Sequence, residues 1–230
     1  MPDRDQHELR SFGRRRTRKL TPRQDQLLAE LLPRVTIDLS TPASRPLDDV
    51  FGNAFRAYWL EIGFGGGEHL IWQAKNNPDV GFIACEPFID GTVKVLDAIN
   101  SSRLTNIRLY CDDARDVVRW LPPASIARCF ILFPDPWPKK RHNKRRLINP
   151  ALLDLLSGPM TQDGELRMAT DIGDYARAIL LTVQRHDRYR WLPDRPENWR
   201  QRPADWPATR YERKAIREGR KSYYFRVFRT

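Results

Sequence analysis

From residue 57 onward, short apolar runs alternate with stretches whose apolar residues recur at helical spacing. The pattern predicts strands at 57–62, 81–85, 106–111, 127–133 and 164–169, and helices near 67–77, 90–101, 113–121, 149–157 and 173–185. Strand followed by helix, repeated along the chain, is the signature of βα units laid into a mostly parallel sheet. A last antiparallel pair is expected at 187–193 and 222–229, completing an open α/β sheet of seven strands with helices on both faces. Between that pair, Leu192 to Ala208 carries Pro193, Pro196, Pro203 and Pro207 and reads as a long functional loop. Ahead of the sheet, Thr21-Pro22 opens a helix bearing Leu27, Leu28, Leu31 and Leu32, and Pro33 closes it. The chain therefore divides into a leading segment, 1–33, and a single domain, 34–230.

Composition narrows the class. A chain of 230 residues, 40% of them hydrophobic, supports one core. No apolar run reaches the roughly 20 residues that span a bilayer, and the N-terminal stretch lacks the apolar core of a secretory signal. A cytoplasmic protein with no membrane partner is expected. The net charge of +11 points to a polyanionic partner, and residues 1–23, with Arg4, Arg10, Arg14, Arg15, Arg16, Arg18, Lys19 and Arg23, read as a basic arm that orders on binding. Cys85, Cys111 and Cys129 sit in strand-like stretches and are expected as reduced core thiols. His7, His69, His142 and His186 are scattered without ligand spacing, so no metal site is expected. Nothing in the sequence chooses between a monomer and a homodimer.

The first predicted strand runs into Glu61-Ile-Gly63-Phe-Gly65-Gly66-Gly67-Glu68, a strand, glycine turn and helix start that let backbone approach a nucleotide closely. In the dinucleotide fingerprint the last glycine would fall at Glu68, and an acid at a helix N-terminus repels a pyrophosphate. That disfavours a dinucleotide-dependent oxidoreductase. A ligand that joins a nucleoside to a charged amino acid, with no phosphate, tolerates Glu61 and Glu68; S-adenosylmethionine is such a ligand. Glu86 ends the second strand, where a carboxylate accepts from both ribose hydroxyls, and Asp113 follows the third, placed to accept from an adenine amino group. Gly63, Gly65, Glu86 and Asp113 at three successive strand ends resemble the Rossmann-like class I methyltransferases.

The fourth strand opens into Phe133-Pro-Asp-Pro-Trp-Pro-Lys-Lys-Arg-His142, which puts Asp135 at a strand's carboxyl end beside the glycine turn. Pro134, Pro136 and Pro138 are expected to hold Asp135 and Trp137 in extended geometry. Six of the eight residues 139–146 are Lys or Arg with no acid among them, the composition of a phosphate clamp.

Phe133–His142, with Glu61-Ile-Gly-Phe-Gly65, Thr170-Asp171 and Thr209-Arg-Tyr-Glu212, resembles the bacterial tRNA (guanine-N7-)-methyltransferase family, over a span from about Arg10 to Phe228. The resemblance implies the class I fold and methylation of guanine N7 at position 46 in the tRNA variable loop. It implies that Glu61, Glu86, Asp113 and Asp135 line the cofactor pocket, with Asp135 at the catalytic centre. Lys139, Asp171, Thr209, Arg210, Tyr211 and Glu212 would contact substrate; Arg141, Lys144, Arg145 and Arg146 would contact RNA phosphates. Trp191, Trp199 and Trp206, set among arginines, are further candidates for RNA contact.

Guanine N7 carries a lone pair and no proton, so methylation there needs positioning and charge stabilisation and no general base. Amino-group methyltransferases use an Asp/Asn-Pro-Pro-aromatic turn, whereas the order here is Asp135-Pro-Trp-Pro138. A tRNA-binding protein of the same fold without turnover is the remaining alternative.

Overall fold

The computed structural model describes residues 19–40 and 46–230; most of the expected basic arm, residues 1–18, lies outside the described residues. Among the described residues, seven strands form one sheet: β1 (Ala57–Ile62), β2 (Val80–Cys85), β3 (Ile107–Tyr110), β4 (Ile126–Leu132), β5 (Met160–Thr170), β6 (Tyr189–Trp191) and β7 (Tyr223–Arg229). Their order is β3-β2-β1-β4-β5-β7-β6. β1 pairs in parallel with β2 and β4, as do β2 with β3 and β4 with β5. β7 runs antiparallel to both of its neighbours. The chain leaves β1 toward β2 and β3, then returns to start β4 on the other side, so a crevice opens above the carboxyl ends of β1 and β4.

The helices are α1 (Pro22–Glu30), α2 (Leu32–Val35), α3 (Leu47–Phe51), α4 (Glu68–Asn76), α5 (Ile89–Ser102), α6 (Ala114–Trp120), α7 (Pro150–Ser157), α8 (Gly173–Gln184), α9 (Glu197–Arg200) and α10 (Arg210–Arg217). Thr21 caps α1 reciprocally: its Oγ1 accepts from the Gln24 N–H at 3.3 Å and Gln24 Oε1 accepts from the Thr21 N–H at 3.0 Å. Pro33 does not close the leading helix; it sits in the first turn of α2, where its missing N–H costs nothing.

Both faces of the sheet are covered, which is why its strands read as apolar runs rather than alternations. On one face Leu60, Ile83, Cys129 and Leu166 pack under α6, α7 and α8. On the other, Trp59, Phe82, Phe130 and Ala169 meet Leu70, Leu96 and Ile99 of α4 and α5. Cys85 and Cys129 are buried, Cys111 is half-buried, and all three are free thiols.

The proline-rich stretch 192–208 is anchored rather than loose. Trp206 is buried at 3% exposure and packs edge-on against His69, Phe130 and Tyr224, so it belongs to the core and not to an RNA surface. Beside it, Asp205 Oδ2 accepts from Arg167 Nη1 at 2.7 Å. Glu165 then gathers three guanidinium groups: Arg167 Nε at 2.8 Å, Arg128 Nε at 2.9 Å, and Arg226 on its other oxygen. Without Glu165, buried Arg167 keeps only Asp205 as a carboxylate partner, and breaking a buried ion pair costs about 3–5 kcal/mol. Glu165→Ala is expected to lower the unfolding free energy by about that amount in urea titration; a loss below about 1 kcal/mol would show that these arginines are adequately solvated.

Candidate active site

The turn between β1 and α4 is left-handed at Gly63, Gly65 and Gly67, with φ of 78°, 53° and 78°. Gly67 is also the N-cap of α4, and a Cβ there would fall 2.4 Å from Val95 Cγ2. The glycines thus let α4 start against α5 while the turn's backbone faces the crevice. Glu86, at the end of β2, ties this turn down: Oε2 accepts from the Gly65 N–H at 2.8 Å and Oε1 from the Phe88 N–H at 3.1 Å. Burial holds the Glu86 carboxyl above the ordinary carboxylate range and nearby Asp135 adds to it, while those two N–H groups pull it down. Gly91 of α5 completes the contact, since a Cβ on it would lie 1.8 Å from the Gly65 carbonyl oxygen.

A cavity of 470 Å³ opens over these strand ends. Of the residues expected from the sequence, it brings together Gly63, Gly65, Glu86, Asp113, Asp135, Arg145, Arg146 and Tyr211. Asp113 serves also as the N-cap of α6, accepting from the Arg115 N–H at 3.0 Å, and pairs with the Arg115 guanidinium. That side chain, with Asn149 at the start of α7, was not anticipated among the cavity residues. The Asn149-Pro150 capping signature carried the signal, because it puts the start of α7 at this end of the sheet.

Glu61 is not on the cavity wall. Its Oε2 accepts from His69 Nδ1 at 2.8 Å, and His69 Nε2 accepts from Gln73 Nε2 at 3.2 Å, a chain that fixes the imidazole tautomer. Gln73 Nε2 also donates to the Asp205 carbonyl at 2.8 Å. The Glu61 side chain therefore points behind the turn, and its role is to join the turn to the 201–206 segment.

The fourth-strand motif departs from the extended geometry expected of residues that precede proline. Phe133 and Trp137 stand at φ of 52° and 43°, each immediately before a proline. Such conformations cost of order 1–3 kcal/mol each and persist where surroundings impose them. The Phe133 N–H donates to the Ala169 carbonyl at 2.8 Å. Trp137 is packed by the His142 ring at 5.9 Å and the Arg145 guanidinium at 5.0 Å. Arg146, expected to touch RNA, is buried at 5% exposure: its Nε donates to the Pro136 carbonyl at 3.0 Å and its Nη2 to Asp174 at 2.5 Å. It braces the motif from behind. Asp135 is left exposed at the cavity.

Lys140–Arg145 form a 3-10 turn on which Arg141 and Lys144 are exposed; Lys139, just before it, is exposed as well. His142 is held below its ordinary value by partial dehydration and then by Arg145, Arg141, Lys139 and Lys144 around it. The segment 209–212 splits in two. Thr209 and Glu212 are buried, at 7% and 6% exposure. Thr209 caps α10 by accepting from the Glu212 N–H at 3.2 Å, and Glu212 Oε1 accepts from Tyr224 at 2.6 Å and Arg202 at 3.0 Å. These partners hold the start of α10 in place. Tyr211 is 42% exposed and faces the cavity, with Arg210 stacked 4.9 Å from its ring. Asp171 is engaged by Arg220 Nε at 2.7 Å. Trp191 packs on Trp199 and Phe225. Among the described residues, no group of three or more His, Cys, Asp or Glu side chains is arranged to hold a metal ion.

The methyltransferase family described as "Putative methyltransferase" matches residues 56–225. The tRNA (guanine-N(7)-)-methyltransferase of Chelativorans sp. (strain BNC1) is 46% identical over 219 residues, covering 95% of this chain and 94% of that protein. The protein of the same name from Brucella melitensis biotype 1 is 41% identical, with 98% of each covered. Solved structures share the fold at low identity. The 16S rRNA methyltransferase KamB has a TM-score of 0.54 at 14% identity, over 83% of this chain and 98% of its own. A putative methyltransferase from Streptococcus mutans, solved in complex with SAH, has a TM-score of 0.51 at 11% identity, over 81% of this chain and 99% of its own.

The contact of Gly91 with the turn predicts that Gly91→Ala, which drives a methyl group into the Gly65 carbonyl, weakens S-adenosylmethionine binding by about tenfold or more in calorimetry. Unchanged affinity would mean that this contact does not set the turn.

Proposed function

The chain belongs to the tRNA (guanine-N(7)-)-methyltransferase family, and we propose that its cavity methylates the guanine at position 46 of the tRNA variable loop, with Asp135 as the catalytic residue. The methyl donor is S-adenosylmethionine. The observation that carries the site assignment is the meeting of Asp135 with the glycine turn, Glu86 and Asp113 in one cavity. Its 470 Å³ lies within the range of small-molecule sites, and its polar groups suit a nucleoside bearing no phosphate. Glu86 would receive the ribose hydroxyls and Asp113 the adenine amino group.

When bound, S-adenosylmethionine supplies a methyl group on a sulfonium, ready for direct transfer to a nucleophile. Guanine N7 is such a nucleophile without losing a proton, so Asp135 removes none. Its carboxylate orients the base, accepting from N1–H and the exocyclic amine, and offsets the positive charge that arrives on the purine. Trp137 and Tyr211 flank the cavity as aromatic surfaces for a base. Lys139, Arg141, Lys144 and Arg145 give the phosphate contacts that fix the RNA beside it. Arg210 and, once released from Arg220, Asp171 are the remaining substrate contacts. No helix among the described residues is long and apolar enough to cross a membrane, and the reaction belongs in the cytoplasm with its tRNA.

Incubation with labelled S-adenosylmethionine and unmodified tRNA, followed by nucleoside digestion, is expected to yield 7-methylguanosine, and replacement of guanine 46 to abolish it. Asp135→Ala is expected to reduce turnover at least about a hundredfold with tRNA affinity changed by less than about threefold. Product at another base or ring atom, or near-normal turnover in the variant, would overturn the respective assignment.

A further inference from the structure

We propose that a second cavity, back to back with the first, binds a backbone phosphate of the substrate RNA adjoining the target guanosine; the inference rests on the function proposed above. This cavity, of 600 Å³, is lined by Lys19 and Thr21 at the start of α1, Phe88 and Lys94 at the start of α5, and Arg210 and Tyr211 of α10. Among the described residues, three cations and one acid, Asp90, line it. No ion pair to Lys19 or Lys94 is found among the described residues, and both side chains are exposed. Arg210 pairs with a carboxylate only at long range, Glu68 at 3.9 Å, and its Nη2 donates to the Tyr211 hydroxyl at 3.1 Å. Uncompensated cations around a concave space raise the local concentration of an anion.

The wall shared with the first cavity identifies that anion. Tyr211 lines both spaces. Its ring carbon Cε2 lies 3.2 Å from where a Cβ on Gly65 would stand, and Gly65 in turn touches Gly91, which lines the second cavity. Residues in close approach thus part the two spaces, and one of them, Tyr211, is an exposed aromatic ring common to both. A nucleotide whose base enters the first cavity is continuous, through its own ribose, with a phosphate that can cross this ring into the second. S-adenosylmethionine has no phosphate to place there. α1 packs beside α5, and at their surface Arg23 Nη2 donates to Asp97 at 2.6 Å. The RNA would then be gripped on two sides of the target base, by Lys19, Lys94 and Arg210 on one and by the 139–146 run on the other.

The test uses the full-length protein and compares two double variants with equal change of charge. Lys19→Glu with Lys94→Glu alters the second cavity. Lys75→Glu with Arg103→Glu alters the far ends of α4 and α5, where neither residue lines a cavity. Affinity for an unmodified tRNA transcript is measured by anisotropy over a range of salt, and affinity for S-adenosylhomocysteine by calorimetry. The cavity variant is expected to bind tRNA at least about tenfold more weakly, with the log–log salt slope flatter by roughly 0.7–0.9 per phosphate lost. Its S-adenosylhomocysteine affinity should stay within about twofold, and the control should lose less than about threefold in tRNA affinity. Lys94→Arg should keep tRNA binding. Equal losses in the two double variants, an unchanged slope, or a loss confined to S-adenosylhomocysteine would overturn the proposal. Binding needs no turnover, so failure of wild-type protein to form 7-methylguanosine would count against the proposed reaction alone.

Discussion

One carboxylate holds the site in shape. Glu86 has both oxygens occupied by backbone donors, Gly65 from the turn after β1 and Phe88 from the entry to α5. It thereby joins the βα units of β1 and β2, beside the reversal of strand order between β1 and β4. The close approach of Gly91 to the Gly65 carbonyl follows from that joint, and so does the thin wall that Gly65, Gly91 and Tyr211 make between the two cavities. The desolvation that lifts the Glu86 carboxyl is the cost of this arrangement, offset in part by the two N–H groups it accepts from.

Behind the turn, a polar path, buried except at Asp205, continues the same constraint along one face of the sheet to β5. It runs from Glu61 through His69 and Gln73 to Asp205, and from Asp205 through Arg167 to Glu165. A hydrophobic replacement of such a network is often as stable, so its presence is better explained by what it orients than by what it stabilises. Here it pins the 201–206 segment, and Thr209 and Glu212 carry that position into α10. Tyr211 and Arg210 reach the cavities because everything N-terminal to them in that segment is fixed.

The sheet was legible because parallel strands covered on both faces leave uninterrupted apolar runs, and β1 falls where its pattern put it. Helix starts marked by Thr21-Pro22 and by Asn149-Pro150 were legible through the side-chain oxygen that each cap requires. α3 and α9 were not, since five and four residues make about one turn and establish no periodicity. Gly63, Gly65, Glu86, Asp113 and Asp135 converge as expected, because strand ends in this topology share one edge. What the sequence hid are contacts of charged and aromatic residues with partners distant in the chain: Arg146 with Asp174, Glu212 with Tyr224, and Trp206 with His69. The resemblance set Arg146 against RNA and Glu212 against substrate, and neighbouring arginines suggested RNA contact for Trp206; only tertiary packing shows what each side chain supports. The left-handed backbone at Phe133 and Trp137 is hidden in the same way, since local preference before proline favours the opposite geometry.

Glu86, Asp113 and Asp135 are assigned to one methyl-transfer site, and a crystal structure of the protein with S-adenosylhomocysteine decides that assignment. The expected complex has the ribose hydroxyls on Glu86, the adenine amino group at Asp113 and the sulfur facing Asp135. A ligand seated in the second cavity, or bound with Glu86 and Asp113 untouched, would contradict it.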